Sequence, residues 1–380
     1  MKKVLILTEH FAPAYKAGGI VRSLENLVHN FNARFSFSVI TGSADLGERQ
    51  PMPDVPQNQW VPFRQDAEVL YLSPAYQQRE KLVRFIEDRQ PEVVYMNGIY
   101  SIPFVVVPLR AARKLSSWPV MVVAPRGMLQ SGALSVKPLK KKIYFALFKA
   151  WGLHKNVRWH ATDAQEVEDI RRMFGPKAEV VLALDTPDLV AQPLAPIRKE
   201  RGRLQLVTIS LITAKKGHLL LLETLKALED EISAEYHIYG PVKDPEYWQA
   251  CQQVMATLKP SIRVVYHGNI HPTEVMATLQ GHHFFVLPSK GENFGHAIYE
   301  AFNAGRPAII SDQTPWKKLA PQRAGWDVDL RDKQALPNAL RQAYAMDQAG
   351  YDELCRGAQT VAHRFVQESD FAGQYQALFR

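Results

Sequence analysis

One segment in the last third of the chain constrains the fold more than any other. The apolar run at residues 284–287 predicts a buried strand, and Pro288 ends it. A turn with two glycines at residues 291–295 leads into a predicted helix that stops before Gly305. A second buried strand follows at residues 307–310. A strand, a helix and another strand in this order predict a parallel α/β sheet.

Two carboxylates, Glu292 and Glu300, flank the start of this predicted helix. The amides and the dipole at a helix N-terminus hold anions, most often phosphate. Carboxylates do not bind phosphate, but they accept hydrogen bonds from the hydroxyls of a ribose or a sugar. The segment therefore predicts a nucleotide-sugar site. The alternative is an ordinary strand–helix–strand unit with glutamates at its surface.

The sequence of this segment resembles that of a known family. The letters ENFGHAIYEA, with two glutamates eight positions apart, are followed by GRPAIISDQTPW. This pattern is similar to the donor-binding signature of retaining glycosyltransferases of the GT-B fold, family 4 (glycosyl transferases group 1). The stretch that begins APRGMLQSGALSV at residue 124 resembles a bacterial surface-polysaccharide branch of that family. The resemblance covers nearly the whole chain and is strongest over residues 236–330.

The resemblance implies an α/β architecture of two Rossmann-like, doubly wound domains that face a cleft. It assigns the nucleotide-diphosphate sugar to the C-terminal domain and the acceptor to the N-terminal domain. We place these domains at residues 204–363 and 1–195, joined by a charged, proline-bearing linker at 194–202. In the family the last helix crosses back to the first domain, and we expect residues 364–380 to do so.

Composition agrees with a globular protein of two or three domains. The chain has 380 residues, of which 46% are hydrophobic and 22% charged. No apolar run reaches the roughly 18 residues that span a bilayer. Residues 1–9 are typical of a first strand rather than a signal peptide. Two cysteines are too few for a disulfide framework, so we expect a reducing, cytoplasmic location.

Hydrophobic periodicity predicts alternating strands and helices along both domains, with residues 43–67 as a loop. The predicted strands of the first domain are residues 4–8, 37–41, 69–72, 93–96, 120–124 and 180–184. In the second domain they are 204–209, 236–239, 264–266, 284–287 and 308–310, with helices at 219–228, 246–258 and 365–378.

The resemblance also implies roles for the residues of the signature. Glu300 would accept hydrogen bonds from the ribose hydroxyls of the donor. Glu292, as a catalytic residue, would hold the transferred sugar together with the backbone of Asn293, Phe294 and Gly295, which would also bind the distal phosphate.

A lysine pair follows the first strand of the second domain. The family usually carries an arginine at this strand end and a lysine five residues later, and both neutralise the leaving diphosphate. Lys216 matches the lysine, whereas Leu211 occupies the arginine position. A lysine is a point charge and cannot replace a bidentate guanidinium. Lys215 or Arg126 would then compensate, or turnover would be weak. Read without the resemblance, Lys216 is a solvated surface lysine.

Three strand ends of the first domain carry further candidates. Gly18 and Gly19 follow the first strand, and by resemblance they face the phosphates of the donor. Arg126 lies where many relatives keep a histidine, and it is our catalytic candidate for contacting phosphate or acceptor. Asn97 and Gly98 would line the cleft. A flexible turn is the alternative explanation for Gly18 and Gly19, and a structural turn asparagine with satisfied hydrogen bonds is the alternative for Asn97.

Positive charge is concentrated in one segment. The chain has a net charge of +8, yet residues 93–162 contain eleven Lys or Arg and no Asp or Glu. A predicted helix at 138–151 carries Lys140, Lys141, Lys142 and Lys149. Cations in the first turn oppose the helix dipole, so helix stability does not explain them. The face opposite the lysines is predicted to hold Tyr144, Leu147, Phe148 and Trp151.

Three explanations of this basic helix remain open: a solvated face, a nucleic-acid patch, or a surface for anionic lipid or a lipid-linked acceptor. Each basic residue near an anionic membrane contributes about 1 kcal/mol. We favour the lipid-facing surface, which would place the protein on the inner face of the cytoplasmic membrane. Because no nucleic-acid-binding motif accompanies the charge, we expect no nucleic-acid partner.

No metal site is predicted. Asp327 and Asp329 form an Asp-x-Asp pattern, but it lies past the donor segment and the resembled fold needs no metal. His282 and His283 have no third ligand at zinc spacing. Trp316 is more consistent with packing than with sugar stacking.

These features and the family resemblance predict a glycosyltransferase, and the resemblance implies that it is metal-independent and retaining. By the same resemblance, the donor would be a nucleotide-diphosphate sugar, and the acceptor would be a glycan or lipid-linked intermediate of a surface polysaccharide such as lipopolysaccharide. Two alternatives share the fold: a nucleotide-sugar epimerase and a non-catalytic nucleotide-sugar-binding protein.

Overall fold

The computed structural model describes residues 1–64, 67–112, 119–135 and 137–380. It divides into two compact units. Unit 1 comprises Met1–Asp188 and Asp370–Arg380, and unit 2 comprises Leu189–Ser369. The chain therefore changes unit at residue 188, seven positions before the predicted boundary, and returns to unit 1 at residue 370.

Unit 1 contains an eight-stranded sheet with the order β3-β4-β2-β1-β5-β6-β7-β8. All neighbouring strands are parallel except β3 and β4. The strands are β1 (Lys2–Leu7), β2 (Phe35–Gly42), β3 (Trp60–Phe63), β4 (Ala67–Leu72), β5 (Val93–Asn97), β6 (Val120–Ala124), β7 (Arg158–Ala161) and β8 (Glu179–Leu182).

Helices pack on the sheet of unit 1, and the apolar residues of the central strands are almost fully buried. Helix α1 illustrates how a helix packs on the sheet, since its buried positions Leu24, Leu27, Val28 and Phe31 recur at helical spacing and form one apolar face. The helices are α1 (Gly19–Phe31), α2 (Arg79–Arg89), α3 (Val107–Ala112), α4 (Ser131–Ser135), α5 (Pro138–Ala150) and α6 (Ala164–Phe174), and a π-helical stretch at Ile102–Val106 precedes α3.

Unit 2 contains a six-stranded, wholly parallel sheet with the order β11-β10-β9-β12-β13-β14. Its strands are β9 (Leu204–Ile209), β10 (Ala234–Tyr239), β11 (Ile262–Tyr266), β12 (Phe284–Leu287), β13 (Ala308–Ser311) and β14 (Gly325–Val328). Its helices are α7 (His218–Ala227), α8 (Pro245–Met255), α9 (Val275–Gln280), α10 (His296–Asn303), α11 (Ala335–Ala345) and α12 (Gln348–Glu368). The predicted α/β class with parallel, Rossmann-like sheets is confirmed.

The strand order of unit 2 reverses between β9 and β12. The chain builds outward in one direction through β9, β10 and β11, and then in the other direction through β12, β13 and β14. Ligands of such sheets bind at the carboxyl ends of the strands on either side of this reversal. The loops that follow β9 and β12 are therefore where a ligand is expected.

The predicted loop at residues 43–67 contains a strand, so that prediction was wrong. Strand β3 pairs antiparallel with β4, and Trp60 lies opposite Leu70. Pro62 is tolerated because β3 is an edge strand that need not donate on both sides. Strand β7 was also missed. It has only four residues, and Trp159 is fully buried in it. In the sequence, the polar residues Arg158 and His160 on either side of Trp159 interrupt the apolar pattern that would predict a strand.

The predicted single helix at residues 365–378 is in fact two helices. The helix α12 ends at Glu368, and a new helix, α13 (Phe371–Leu378), begins after Asp370. The Asp370 carboxylate accepts a hydrogen bond from Gly373 N–H at 2.9 Å and so caps the new helix. Helix α13 lies in unit 1, where the Tyr375 hydroxyl donates to the Leu184 carbonyl at 3.2 Å.

The segment that opens unit 2 is held by a buried arginine. The Arg306 guanidinium is almost completely buried and donates to the carbonyls of Ala195 at 2.6 Å and Gln280 at 2.8 Å. Asn303 donates to the Val190 carbonyl at 3.0 Å. These bonds explain why the predicted linker residues belong to the structure of unit 2.

Candidate functional site

Two loops of unit 2 meet where its strand order reverses. The loop after β12 donates from Lys290 N–H to the Lys215 carbonyl, in the loop after β9, at 2.8 Å. Gly217 has a φ of 79°, and a Cβ placed there would lie 2.1 Å from the Pro288 carbonyl oxygen. Only glycine allows this approach, so the two loops are locked together by their backbones.

An ion pair closes the same contact. Lys216 Nζ lies 2.7 Å and 2.9 Å from the two carboxylate oxygens of Glu292. The Lys216 side chain is 20% exposed and that of Glu292 is 10% exposed, so both groups are partly open to solvent. Two of the predicted site residues, 76 positions apart in sequence, are thus direct neighbours.

The loop that carries Glu292 is also fixed on its far side. Glu292 N–H donates to the Gln313 carbonyl at 3.2 Å, and the Ser311 hydroxyl donates to the Ser289 carbonyl. Gln313 N–H donates in turn to Ser311 Oγ at 3.3 Å. Because Ser311 ends β13, the loop is anchored to two strands of the sheet.

Helix α10 begins directly after this loop. Gly295 precedes it with a φ of 77°, and the side chain of Phe294 is buried. Trp316 Nε1 donates to the Phe294 carbonyl at 2.7 Å, and the two rings lie 5.5 Å apart. Phe294 and Trp316 therefore pack with each other, and both the side chain and the carbonyl oxygen of Phe294 are engaged within unit 2. Asn293 is half-buried.

Glu300 lies in the second turn of α10 and is half-buried. Its neighbours Ile298, Tyr299 and Phe302 are buried against the core of unit 2. The helix thus points its apolar side into the unit and leaves Glu300 at the margin. The glutamates at both ends of the signature are accessible, as a hydroxyl-binding role requires.

A buried histidine that the sequence did not single out supports the loop after β9. His218 opens α7 right after Gly217. Its Nε2 lies 3.0 Å from the Ser210 hydroxyl and its Nδ1 lies 3.1 Å from the Tyr236 hydroxyl. Burial lowers the pKa of His218 to about 4. The half-buried Leu211 follows Ser210, at the position where the family has an arginine.

In unit 1, Arg126 forms the centre of a buried network. Its Nε donates to Asn97 Oδ1 at 2.7 Å, its Nη2 donates to the Tyr95 hydroxyl at 2.8 Å, and its Nη1 pairs with the Asp185 carboxylate. Burial by itself lowers the pKa of Arg126, but the Asp185 carboxylate, together with smaller contributions from Tyr95, Tyr375 and Glu166, outweighs this effect and raises the pKa. Arg126 is therefore a charged group with protein partners on each of its three nitrogens.

The network extends from Arg126 into neighbouring strands. The Tyr95 hydroxyl lies 2.9 Å from His160 Nδ1, and His160 Nε2 lies 2.7 Å from the Ala183 carbonyl. Burial, with a further contribution from Arg126, lowers the pKa of His160 to about 3. Arg126 itself has a φ of 56°, which is uncommon outside glycine. Its environment is rigid and specific.

The strand order of unit 1 reverses between β1 and β5, and the remaining candidates follow these strands. Gly18 has a φ of 69° and lies at the start of α1, where an added Cβ would meet nothing within 4 Å. Gly19 is exposed. Asn97 is buried and satisfied by Arg126, which agrees with the alternative explanation of a structural asparagine.

The lysines of α5 are at the surface, with Lys140, Lys142 and Lys149 exposed and Lys141 half-buried. The predicted apolar face of this helix is confirmed for Phe148 and for the half-buried Tyr144, but it was wrong for Leu147 and Trp151. Phe145 and Phe148 are the buried residues, whereas Leu147 and Trp151 are exposed. The predicted inner face is rotated about the helix axis relative to the observed one, because the sequence alone does not show which side of the helix packs on unit 1.

The Asp-x-Asp pattern and His283, for which no metal role is predicted, have structural partners. Asp327 accepts hydrogen bonds from Lys318 N–H at 2.9 Å and Leu319 N–H at 2.8 Å, and Asp329 pairs with Arg331. His283 lies 2.9 Å from the Arg198 carbonyl through its Nε2. Within the described residues, no group of three His, Cys, Asp or Glu is arranged to hold a metal ion. No described helix has the length and hydropathy needed to span a membrane.

Comparison with known proteins identifies the family. Residues 18–184 match the family described as glycosyl transferase 4-like domain, and residues 203–346 match glycosyl transferases group 1. The two matched regions include most of the chain and lie in units 1 and 2. The chain belongs to the group 1 glycosyltransferases and has the GT-B fold.

Solved structures share this fold over the whole chain. Sucrose-phosphate synthase from Thermosynechococcus elongatus is 18% identical with a TM-score of 0.73, covering 100% of this chain and 98% of that one. Anabaena HepE in complex with UDP and glucose is 16% identical with a TM-score of 0.68, covering 100% and 98%.

Among curated proteins, the putative colanic acid biosynthesis glycosyltransferase WcaL of Escherichia coli (strain K12) is 24% identical over 212 residues. The match covers 52% of this chain and 50% of WcaL, so this chain spans about half the length of that relative.

The buried His218 predicts a pH dependence of stability. The folded protein holds it neutral with a pKa of about 4, whereas the unfolded chain takes up the proton near pH 6.5. The contribution of His218 is therefore present above about pH 6.5 and is lost as pH falls. Between pH 7 and pH 5 it should remove about 2 kcal/mol from the unfolding free energy of unit 2.

Denaturant unfolding of the wild type and His218→Gln at both pH values tests this effect. Glutamine keeps hydrogen-bonding capacity toward Ser210 and Tyr236 but does not titrate. Its loss of stability at pH 5 should be smaller by about 2 kcal/mol. An equal loss in both proteins would show that His218 is not held neutral.

Proposed function

We propose that the protein transfers a sugar from a nucleotide-diphosphate sugar to an acceptor, with retention of anomeric configuration and without a metal ion. The observation that carries the proposal is the Lys216–Glu292 pair at the point where the strand order of unit 2 reverses. A cation, an accessible carboxylate and the N-terminus of α10 converge there. These are the groups that a diphosphate and a sugar require.

Each group has a distinct chemical task. Lys216 neutralises the nucleotide diphosphate as it departs, and the backbone amides of Asn293, Phe294 and Gly295 bind its distal phosphate. Glu300 accepts hydrogen bonds from the ribose hydroxyls, and Glu292 accepts them from the transferred sugar. Stabilising the leaving charge with groups that are already in position lowers the barrier to transfer.

The arginine position that Leu211 occupies needs a substitute cation. Arg126 is held by Asp185 and Asn97 inside unit 1, so we assign it to positioning those residues rather than to direct phosphate contact. Lys215 is exposed, and its Cε lies 3.8 Å from where a Cβ on Gly291 would be. It therefore lies against the donor loop, and we assign the second phosphate contact to Lys215.

The remaining partners follow from the relatives and from charge. WcaL is named for colanic acid biosynthesis, and HepE was solved with UDP and glucose. We infer a glycan or lipid-linked acceptor of surface-polysaccharide synthesis, presented by unit 1. We also infer that the protein is cytoplasmic and binds an anionic membrane surface peripherally through the lysines of α5.

One observation favours a second candidate. Leu211 removes a guanidinium from the phosphate site, which would suit a protein that binds a nucleotide sugar without turning it over. An epimerase would need acid–base groups around the sugar. The buried His218 does not supply one, since both of its nitrogens already have protein partners.

Acceptor-dependent release of nucleotide distinguishes transfer from both alternatives. UDP- and GDP-sugars are supplied with an extract of membrane lipid-linked saccharides, and free UDP or GDP is measured. We expect release that requires the extract and that falls roughly 100-fold in Lys216→Ala, the scale of losing one fixed donor to the leaving charge. Lys226→Ala, an exposed lysine of α7, is the control. Release without an acceptor, or none with any donor, would contradict transfer.

Substitution of Glu300 tests the donor site separately from turnover. Hydrogen bonds to a charged group contribute about 1.5–3 kcal/mol, so Glu300→Ala should weaken nucleotide binding by roughly 10- to 150-fold. Isothermal titration calorimetry with UDP and GDP measures this change. Glu246→Ala, an exposed glutamate in α8, should bind as the wild type does. Unchanged affinity in Glu300→Ala would remove the ribose role from this residue.

A further inference from the structure

Helix α5 exposes a row of large apolar side chains. Leu139 is 70% exposed, Ile143 54%, Leu147 45%, and Trp151, at the helix end, 42%. They recur every fourth residue, and each step of four turns the helix by about 400°, so they form one outward stripe. Of the ten large apolar residues that are most exposed in the described chain, three lie in this helix and a fourth, Trp151, directly follows it.

The helix does not need this stripe for its own packing. Its opposite side is the inner one: Phe145 and Phe148 are buried in the core of unit 1, and the Tyr144 hydroxyl donates to the Ile99 carbonyl. Phe145 also contacts Phe174, with ring centroids 6.2 Å apart. The outer apolar residues are therefore unexplained by the fold, and such contiguous exposure marks an interaction surface.

Lysines border the stripe on both sides. At about 100° per residue, Lys140 projects on one flank of Leu139 and Ile143, whereas Lys142 and Lys149 project on the other flank. All three lysines are exposed. Residues 93–162 contain no Asp or Glu to neutralise them. The outward half of α5 is thus apolar along its middle and positive along both edges.

This arrangement fits an anionic lipid surface better than other partners. The apolar middle can enter the acyl boundary while the lysine stems extend sideways to the headgroups. Trp151 ends the stripe, and its ring lies beside the Arg110 guanidinium at 4.9 Å. Tryptophan and arginine side by side are suited to the membrane–water interface. A second copy of the chain would bring equal positive edges together, which repel each other.

We propose that α5 lies in the plane of an anionic membrane and inserts Leu139, Ile143, Leu147 and Trp151 among the lipids. The inference rests on the proposed membrane association and deepens it, because it adds an apolar insertion to the lysine attraction. It does not rest on the donor site of unit 2.

Vesicle sedimentation tests the two contributions separately. The purified protein is mixed with vesicles of phosphatidylglycerol and phosphatidylethanolamine, and with vesicles of phosphatidylcholine alone. Removing three lysines should weaken binding to the anionic vesicles roughly 100-fold at low salt. Removing three apolar side chains should weaken it roughly tenfold or more and abolish the binding that survives high salt. The variants are Lys140→Gln/Lys142→Gln/Lys149→Gln and Leu139→Ser/Ile143→Ser/Leu147→Ser.

Matched controls remove the same charge or the same kind of side chain elsewhere. The charge control is Lys177→Gln/Lys226→Gln/Lys333→Gln, and the apolar control is Leu182→Ser/Val190→Ser, all at exposed positions. Both controls should bind vesicles as the wild type does. Every substituted residue is exposed, so all variants should unfold at the wild-type temperature, and nucleotide binding by unit 2 should be unchanged.

The possible results distinguish insertion of the apolar residues from the electrostatic membrane association on which that inference rests. If the serine variant binds like the wild type while the lysine variant does not, the insertion is wrong and simple electrostatic association stands. If the wild type binds no anionic vesicles, both are wrong. A concentration-dependent dimer that the serine variant abolishes would assign the stripe to a second copy and overturn the membrane assignment.

Discussion

The close approach of two backbones in unit 2 is the constraint on which the candidate site depends. Gly217 lies against the Pro288 carbonyl, and this contact is possible only because residue 217 lacks a side chain. It brings the loops after β9 and β12 together where the strand order reverses, and it places Lys216 beside Glu292. The ion pair alone would be a weak constraint at a partly exposed site. Because the backbones are fixed, however, its two charges stay in position without a ligand, and that is the preorganisation that an anionic leaving group requires.

Unit 1 uses charge differently. Arg126 and Asp185 are buried together, and the surrounding Tyr95, Asn97 and His160 complete their hydrogen bonds. A buried pair of this kind is costly unless its groups are well paired, and here the partners come from several strand ends. The network fixes the carboxyl ends of β5, β6 and β8 relative to one another. These buried charges are paired within unit 1, whereas Lys140, Lys142 and Lys149 of α5 are exposed.

The sequence predicted what local patterns encode. Strand β12 begins and ends at the predicted residues because its apolar run is closed by Pro288. Strand β9 also begins and ends at the predicted residues. What depends on distant partners was not predictable. Nothing in the sequence around Arg126 shows that Asp185, 59 residues later, will pair with its guanidinium and neutralise the charge. The inner side of α5 is set by the neighbouring core, so the exposed Leu147 and the buried Phe148 are indistinguishable by hydrophobicity. His218 was overlooked because its value comes from Ser210 and Tyr236, which only the folded sheet brings to it.

Hydrogen exchange measured by mass spectrometry can show whether the two loops form one nucleotide site, since it locates a ligand on the backbone without requiring turnover or an acceptor. We expect a nucleoside diphosphate, UDP or GDP, to slow exchange together in two separate stretches of unit 2, residues 209–218 and 289–300. The reason is that the two loops form one site through the contact of Gly217 with Pro288. Protection that appears in only one of these stretches, or elsewhere in the chain while both exchange at the rate of the free protein, would show that the loops after β9 and β12 do not form one nucleotide site.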